Sequence, residues 1–181
     1  MKKTAFYLIF FLSICFLTSC TPLVDHADPF YNINSSEFPR VHLPLIKPIE
    51  ATRLRTDAPW TLKLRNAPRI ELPKSQEQEV KEVYVYSRVM ELEKFAVKDG
   101  IIMAYSAYVD KKADPYILNN YYHWFVMVPS ENITKGFHTE EEFREYIQTL
   151  GIQDPDWLTP DEAYHSFIDT GGCLDWIPDC K

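Results

Sequence analysis

The side chains that most often carry out catalysis form no familiar catalytic pattern in this sequence. None of the five histidines belongs to the H-E-x-x-H arrangement of zinc hydrolases. His138 and Glu140 match the start of a zinc deaminase motif, but its P-C-x-x-C part is missing, so we interpret this stretch as a capped helix start. The sequence also lacks a G-x-S-x-G turn and a glycine-rich phosphate loop. It therefore predicts a protein that is not an enzyme and needs no cofactor.

Carboxylates are grouped in two stretches, residues 154–162 and residues 169–179. Calcium sites need about six to eight oxygen ligands around a turn, and neither stretch has the D-x-D-x-D-G spacing of an EF-hand. A glycosidase needs two carboxylates that face one cleft, and this sequence does not identify such a pair. We interpret both groups as solvated loops and helix caps, and we predict no metal site.

Cys173 and Cys180 are separated by six residues near the end of the chain. In an exported protein such a pair indicates a disulfide, which would stabilise the fold by about 2.5 kcal/mol through loop closure. The alternative is a metal-binding pair. That alternative is less favoured, because common zinc knuckles have about two to four intervening residues and no histidine lies within this loop.

The first twenty residues have the composition of an export signal. Lys2 and Lys3 precede a sixteen-residue uncharged run that is shorter than the roughly 20 residues of a membrane span. The run ends in Leu-Thr-Ser-Cys at residues 17–20, which resembles the lipobox of bacterial lipoproteins. The resemblance implies cleavage before Cys20, acylation of that cysteine and a membrane anchor. In the lipoprotein class an Asp after the cysteine favours retention in the inner membrane, so with Thr21 at this position the resemblance implies the outer membrane.

Composition limits the class of partner. The formal net charge is −7, and loss of Lys2 and Lys3 with residues 1–19 would make it −9 on a chain of 162 residues. A chain of this length can form one domain with a substantial core. It has no basic run that could neutralise phosphates, so we expect neither nucleic acid nor anionic lipid as a partner. The charge is compatible with a basic protein partner.

The elements that must position any site are predicted in three parts. Residues 1–19 form the signal peptide, residues 20–38 a polar tether, and residues 39–181 a single α+β domain. Eight of the thirteen prolines lie between Pro22 and Pro73, which excludes a helix there. Alternating patterns predict strands at residues 60–65 and 69–72, at a sheet edge, and at residues 83–86, 101–109 and 121–128. Residues 88–97 suit a helix or a strand, and Asp99-Gly100 just beyond them, a strong hairpin indication, favours a strand.

Two amphipathic helices follow this antiparallel β-meander. Thr139 with Glu142 and Thr159 with Glu162 have the spacing of capping boxes, and Gly151 ends the first helix. The apolar faces are predicted to consist of Phe143, Tyr146, Ile147 and Leu150 in the first helix, and of Ala163, Tyr164, Phe167 and Ile168 in the second. Strands followed by helices are typical of an α+β fold.

Aromatic residues are dense between residues 105 and 125 and give the candidate binding residues. Tyr122, Trp124, Val126 and Val128 form an apolar strand face that we expect to be buried. Tyr121 and His123 on the opposite face, with Tyr116 in the preceding loop, are then the candidates for ligand contact. Our first hypothesis is a binding lipoprotein for a protein partner, for example an immunity lipoprotein against a toxin. The alternative is a glycan-binding lipoprotein.

Overall fold

The described residues form a mixed α+β fold, as predicted. A computed structural model describes residues 23–33, 40–64, 88–109 and 118–180. Within these ranges the chain forms two four-stranded antiparallel sheets and two α-helices. The first sheet contains β1 (Val41–Pro44), β2 (Glu50–Arg53), β3 (Thr61–Lys63) and β4 (Arg88–Val89). The second contains β5 (Lys94–Lys98), β6 (Ile101–Tyr105), β7 (Trp124–Val128) and β8 (Ile133–Phe137). The helices are α1 (Glu140–Thr149) and α2 (Pro160–Asp169).

The first sheet is built from the proline-rich part of the chain. Strand order follows chain order, with β1 at one edge. Pro44 ends this edge strand, and Pro59 precedes β3, so neither interrupts a ladder between central strands. The strand predicted at residues 60–65 is found at β3, but its predicted edge position is wrong, because β3 pairs with both β2 and β4. The strands predicted at residues 69–72 and 83–86 lie outside the described residues.

The second sheet begins with the predicted hairpin. Lys98 pairs with Ile101, and the two turn residues, Asp99 and Gly100, have φ values of 51° and 80°. A two-residue hairpin turn of type I′ requires this left-handed backbone at both central positions. The strand interpretation of residues 88–97 is also correct, but those residues contribute to two strands in different sheets, β4 and β5.

Strand β7 is buried on both faces. Phe125 and Met127 pack into the core between the two sheets, whereas Trp124 and Val126 pack under α1 with Phe143. Trp124 is therefore buried, as predicted. Tyr122 differs from the prediction, because it precedes β7 and belongs to the core on the other side of the sheet. Its ring lies over Gly136 of β8, where an added Cβ would be 2.2 Å from the ring.

Both helices begin as predicted. The Thr139 side chain accepts a hydrogen bond from the Glu142 amide, and Thr159 does the same for Glu162, with the reciprocal bond present in each case. The predicted apolar face of α2 is only partly correct, because Ile168 is 40% exposed. Strands β1, β2 and β8 are not among the predicted elements.

Residues 23–33, the described part of the predicted tether, pack against the domain. The Val24 amide donates to the Gly171 carbonyl at 2.8 Å, and Tyr31 is buried in the core between the sheets. His26 is also buried. Residues 23–33 of the segment predicted as a polar tether therefore belong to the packed domain.

Truncation of Trp124 should strongly destabilise the domain. Its ring stacks on Phe143 at 4.9 Å and contacts Trp157 at 5.9 Å, so Trp124→Ala leaves a large cavity beneath α1. We expect the free energy of unfolding to fall by about 3–5 kcal/mol in urea denaturation. Trp124→Phe, which keeps an aromatic ring, should lose less. An unchanged midpoint for Trp124→Ala would contradict this packing.

Candidate functional site

A cavity of about 550 Å³ lies along the face of the first sheet that points away from the core. Ala51, Leu62 and Val89 point into the core, and by the alternation of a pleated sheet Thr52, Thr61, Lys63, Arg88 and Met90 beside them face the cavity. Arg53, two residues after Ala51, lies on the core side by the same alternation and borders the cavity at the end of β2. The loop between β2 and β3 adds an apolar wall. The described lining residues are Arg40, Thr52, Arg53, Leu54, Ala58, Pro59, Thr61, Lys63, Arg88 and Met90.

The charge of this cavity is opposite to that of the whole chain. Four of the described lining residues are cationic and none is acidic, although the chain carries a net charge of −7. Carboxylates lie beside at least two of these cations: Lys63 Nζ lies 2.9 Å from Glu50, and Arg53 Nη1 lies 2.6 Å from Asp161. A cleft lined by charges of one sign concentrates its electrostatic potential and attracts ligands of the opposite sign.

Arg53 is the most enclosed of the four cations. Its side chain is 8% exposed, and its guanidinium carbon lies 4.4 Å from the centre of the Trp60 ring and 5.8 Å from that of Tyr164. Asp161 fixes the arrangement, since it also accepts a hydrogen bond from Trp60 Nε1 at 3.2 Å. The Nε atom of Arg53 is buried and has no hydrogen-bond partner. The side chain is thus held in place with one donor unsatisfied.

A histidine stands beside the cavity on the same sheet. Burial lowers the pKa of His42; the positive charge of Lys63 acts in the same direction, and the negative charge of Glu50 opposes both. His42 Nε2 lies 3.1 Å from Glu50 Oε2. Because burial is the largest effect, the pKa of His42 stays below its ordinary value despite this carboxylate, which favours the neutral ring.

The predicted binding residues do not meet at this cavity. Tyr116 lies outside the described residues. Tyr121 and His123 are half-buried, and neither is among the described lining of the cavity. Tyr121 packs against the core, and His123 Nδ1 lies 3.0 Å from the Ser106 carbonyl oxygen. The cationic residues were missed because ion pairs such as Arg53–Asp161 join positions far apart in the chain, which no local pattern indicates.

The predicted disulfide between Cys173 and Cys180 is present. The loop that it closes docks on the core, because Ile177 is buried and Trp176 Nε1 donates to the Pro44 carbonyl at 3.2 Å. His26 comes from the N-terminal segment to this loop, with its Nε2 4.0 Å from Cys180 Sγ. The three possible metal-ligand atoms lie within 4.8 Å of one another, but the two sulfurs are bonded together and are not thiolates.

Comparison with protein-family models, curated proteins and solved structures finds no match to this chain. Neither α1 nor α2, the helices of the described ranges, is long and apolar enough to cross a membrane.

Loss of the disulfide should loosen the C-terminal loop. Cys173→Ser should lower the free energy of unfolding by about 2.5 kcal/mol, as expected for a loop of this length. Urea denaturation measures the change, and the wild-type protein under reducing conditions serves as the control, since it should approach the variant. Two free thiols in oxidised protein isolated from cells would contradict the assignment.

His42 should make the stability of the domain depend on pH. Since the pKa of His42 is lowered by folding, its contribution is present above the ordinary value of 6.5 and is lost as the pH falls through the lowered value. As the pH is lowered from about 7 to about 5, the free energy of unfolding measured in urea should fall less for His42→Gln than for the wild type. The exposed His165 provides the control, because His165→Gln should keep the wild-type profile. Parallel profiles for all three proteins would refute this role.

Proposed function

We propose that this protein is a lipid-anchored binding module of the cell envelope, held at the outer membrane by acylated Cys20, with another protein as its ligand. The observation that carries the proposal is the docking of residues 23–33 on the domain. Because of this docking, a folded unit with its own core begins within about three residues of the lipobox-like end of the signal.

The short connection would hold the domain close to the bilayer. Leu23 is the third residue after Cys20, and an extended chain advances by at most about 3.6 Å per residue, so their Cα atoms are at most about 11 Å apart. Leu23 is 62% exposed, and Val24 is hydrogen-bonded to Gly171 beside the disulfide loop. The proposal therefore places this loop on the membrane-proximal side, with Leu23 able to contact the lipid.

The ionisable groups support a binding role over a catalytic one. Catalytic sites tend to bring several groups with shifted pKa values together. Among the described residues such groups are dispersed, and each shift has a local structural cause. The Lys47 hydrogen bond lowers the pKa of Asp28, the Thr159 cap lowers the pKa of Glu162, burial raises the pKa of Tyr105, and burial lowers the pKa of His42.

The choice between a protein and a glycan ligand depends on exposed aromatic faces. A glycan needs such a face for stacking, and Trp124 is covered by α1. Tyr105 and Trp157 are half-buried, but the Lys94 ammonium already lies 5.2 Å and 4.7 Å from their ring centres. These contacts favour a protein partner. The net negative charge of the chain favours a basic one, as in the immunity-protein version of the hypothesis.

The anchor is tested by removal of the acylated cysteine. Cys20→Ala should block processing and leave the signal attached, and mass spectrometry of the wild-type protein should show an acylated N-terminal Cys20. Cys15→Ala, a cysteine replacement within the signal, should be processed as the wild type. A processed protein with an unmodified Cys20 would refute the assignment.

The class of partner is tested by salt dependence. Residues 21–181 are the appropriate soluble domain, because residues 23–33 are part of the packed structure. Capture of a basic envelope protein should slow as ionic strength rises through about 0.15 M, where screening extends only about 8 Å. Salt-insensitive binding of a purified polysaccharide would instead establish the glycan alternative.

A further inference from the structure

We infer that the cavity lined by Arg40, Arg53, Lys63 and Arg88 is a binding site for a small organic anion, one that joins a carboxylate or phosphate head to an apolar portion. This inference goes beyond the proposed function and does not depend on the lipid anchor or on the class of protein partner.

The arrangement of charge is the first argument. Four cationic side chains line one concavity of an acidic chain, and Glu50 and Asp161, the carboxylates beside Lys63 and Arg53, are not part of its described lining. Like charges placed around one cavity repel each other, whereas an anion inside the cavity would be attracted by all of them. The cavity is therefore electrostatically complementary to an anion.

The state of Arg53 is the second argument. Asp161 accepts from Nη1, so the Nε–Nη2 edge of the guanidinium is not the edge that this ion pair uses. That edge is the fork with which arginine binds carboxylates and phosphates in a bidentate manner. Nε is buried without an acceptor, which is costly for a charged donor. Arg53 borders the cavity, so this edge is the part of its guanidinium that the Asp161 ion pair leaves for a ligand oxygen.

The walls of the cavity define the rest of the ligand. Leu54, Ala58, Pro59 and Met90 provide apolar surface, and the hydroxyl-bearing Thr52 and Thr61 pair across β2 and β3 on the cavity face. Ligand sites commonly combine apolar walls with a few placed polar groups, and about 550 Å³ lies within their usual range. An anionic head near the arginines and an apolar portion against the β2–β3 loop would use both kinds of surface.

The test is an NMR titration of residues 21–181 with four probes. N-acetylleucine carries a carboxylate and an apolar portion, and N-acetylleucinamide is its neutral counterpart. Phenyl phosphate and inorganic phosphate test the other head group with and without an apolar portion. We expect N-acetylleucine or phenyl phosphate to shift the Met90 methyl and the Thr52 and Thr61 amides, with a dissociation constant of about 1 mM or tighter. N-acetylleucinamide, which lacks the negative charge, should not shift these signals.

The variants separate the cavity from the general field of the protein. Arg40→Gln with Arg88→Gln should weaken binding about tenfold or more, the loss expected for one charge-assisted hydrogen bond. Arg53 is kept, because its ion pair with Asp161 links α2 to the first sheet. Arg55→Gln is the matched control: Arg55 is 76% exposed, lies in the same loop region and is outside the described lining. Unchanged melting of each variant confirms that it is folded.

Four results would overturn the inference. Two concern the controls: N-acetylleucinamide binds as tightly as N-acetylleucine, or Arg55→Gln weakens binding as much as the Arg40 and Arg88 replacements do. The other two are undiminished binding to the Arg40 and Arg88 variant, and no shifts at the cavity with any anion at about 10 mM, well above the expected dissociation constant. If only the carboxylate probe or only the phenyl phosphate probe binds, the inference is supported and the ligand is assigned that head group. Binding of inorganic phosphate alone would show an adventitious ion site and would also overturn the inference.

Discussion

Burial of the second sheet on both faces is the constraint on which the rest of the structure depends. Each residue of β7 is buried, so one layer must cover each face. On one side α1 supplies Phe143 and Ile147, and on the other the first sheet supplies Leu43, Leu62 and neighbouring core residues. An antiparallel sheet often leaves one face to solvent, but this apolar strand cannot. The proline-rich part of the chain must therefore fold into a sheet, because it covers a face that α1 does not.

The covering role of the first sheet also determines where a site can form. Its inner residues are committed to the core, so variation in chemistry is confined to the outer face and the loop ends. Arg53, at the end of β2, joins the first sheet to α2 through Asp161, with Trp60 and Tyr164 around the guanidinium. Arg53 is buried whereas the Asp161 side chain is 55% exposed, so the pair itself adds little net stability, yet removal of Asp161 would leave the buried Arg53 charge uncompensated. The same contact that positions Arg53 therefore also fixes the second helix on the sheet.

The sequence predicts local features of this fold better than distant ones. The capping boxes at Thr139 and Thr159 and the Asp99-Gly100 turn act through neighbouring backbone groups, and all three are found. Strands β1, β2 and β8 are short and their alternation is weak, so only tertiary pairing identifies them. The docking of residues 23–33 depends on contacts across the whole chain, such as Val24 with Gly171, and polar composition alone gives no indication of it.

The net charge of this protein is negative, whereas the charge lining the cavity on its first sheet is positive. The overall charge acts at long range, where it steers the approach of a basic partner and is weakened by salt. The cationic cavity acts mainly at short range, because at a distance its four cations are outweighed by the net charge of −7 of the whole chain. A basic partner attracted by the acidic surface would therefore be repelled at this one concavity unless an anionic group entered it. The two charge distributions are compatible if they serve different ligands, or if one partner presents an acidic group to the cavity within a basic surface.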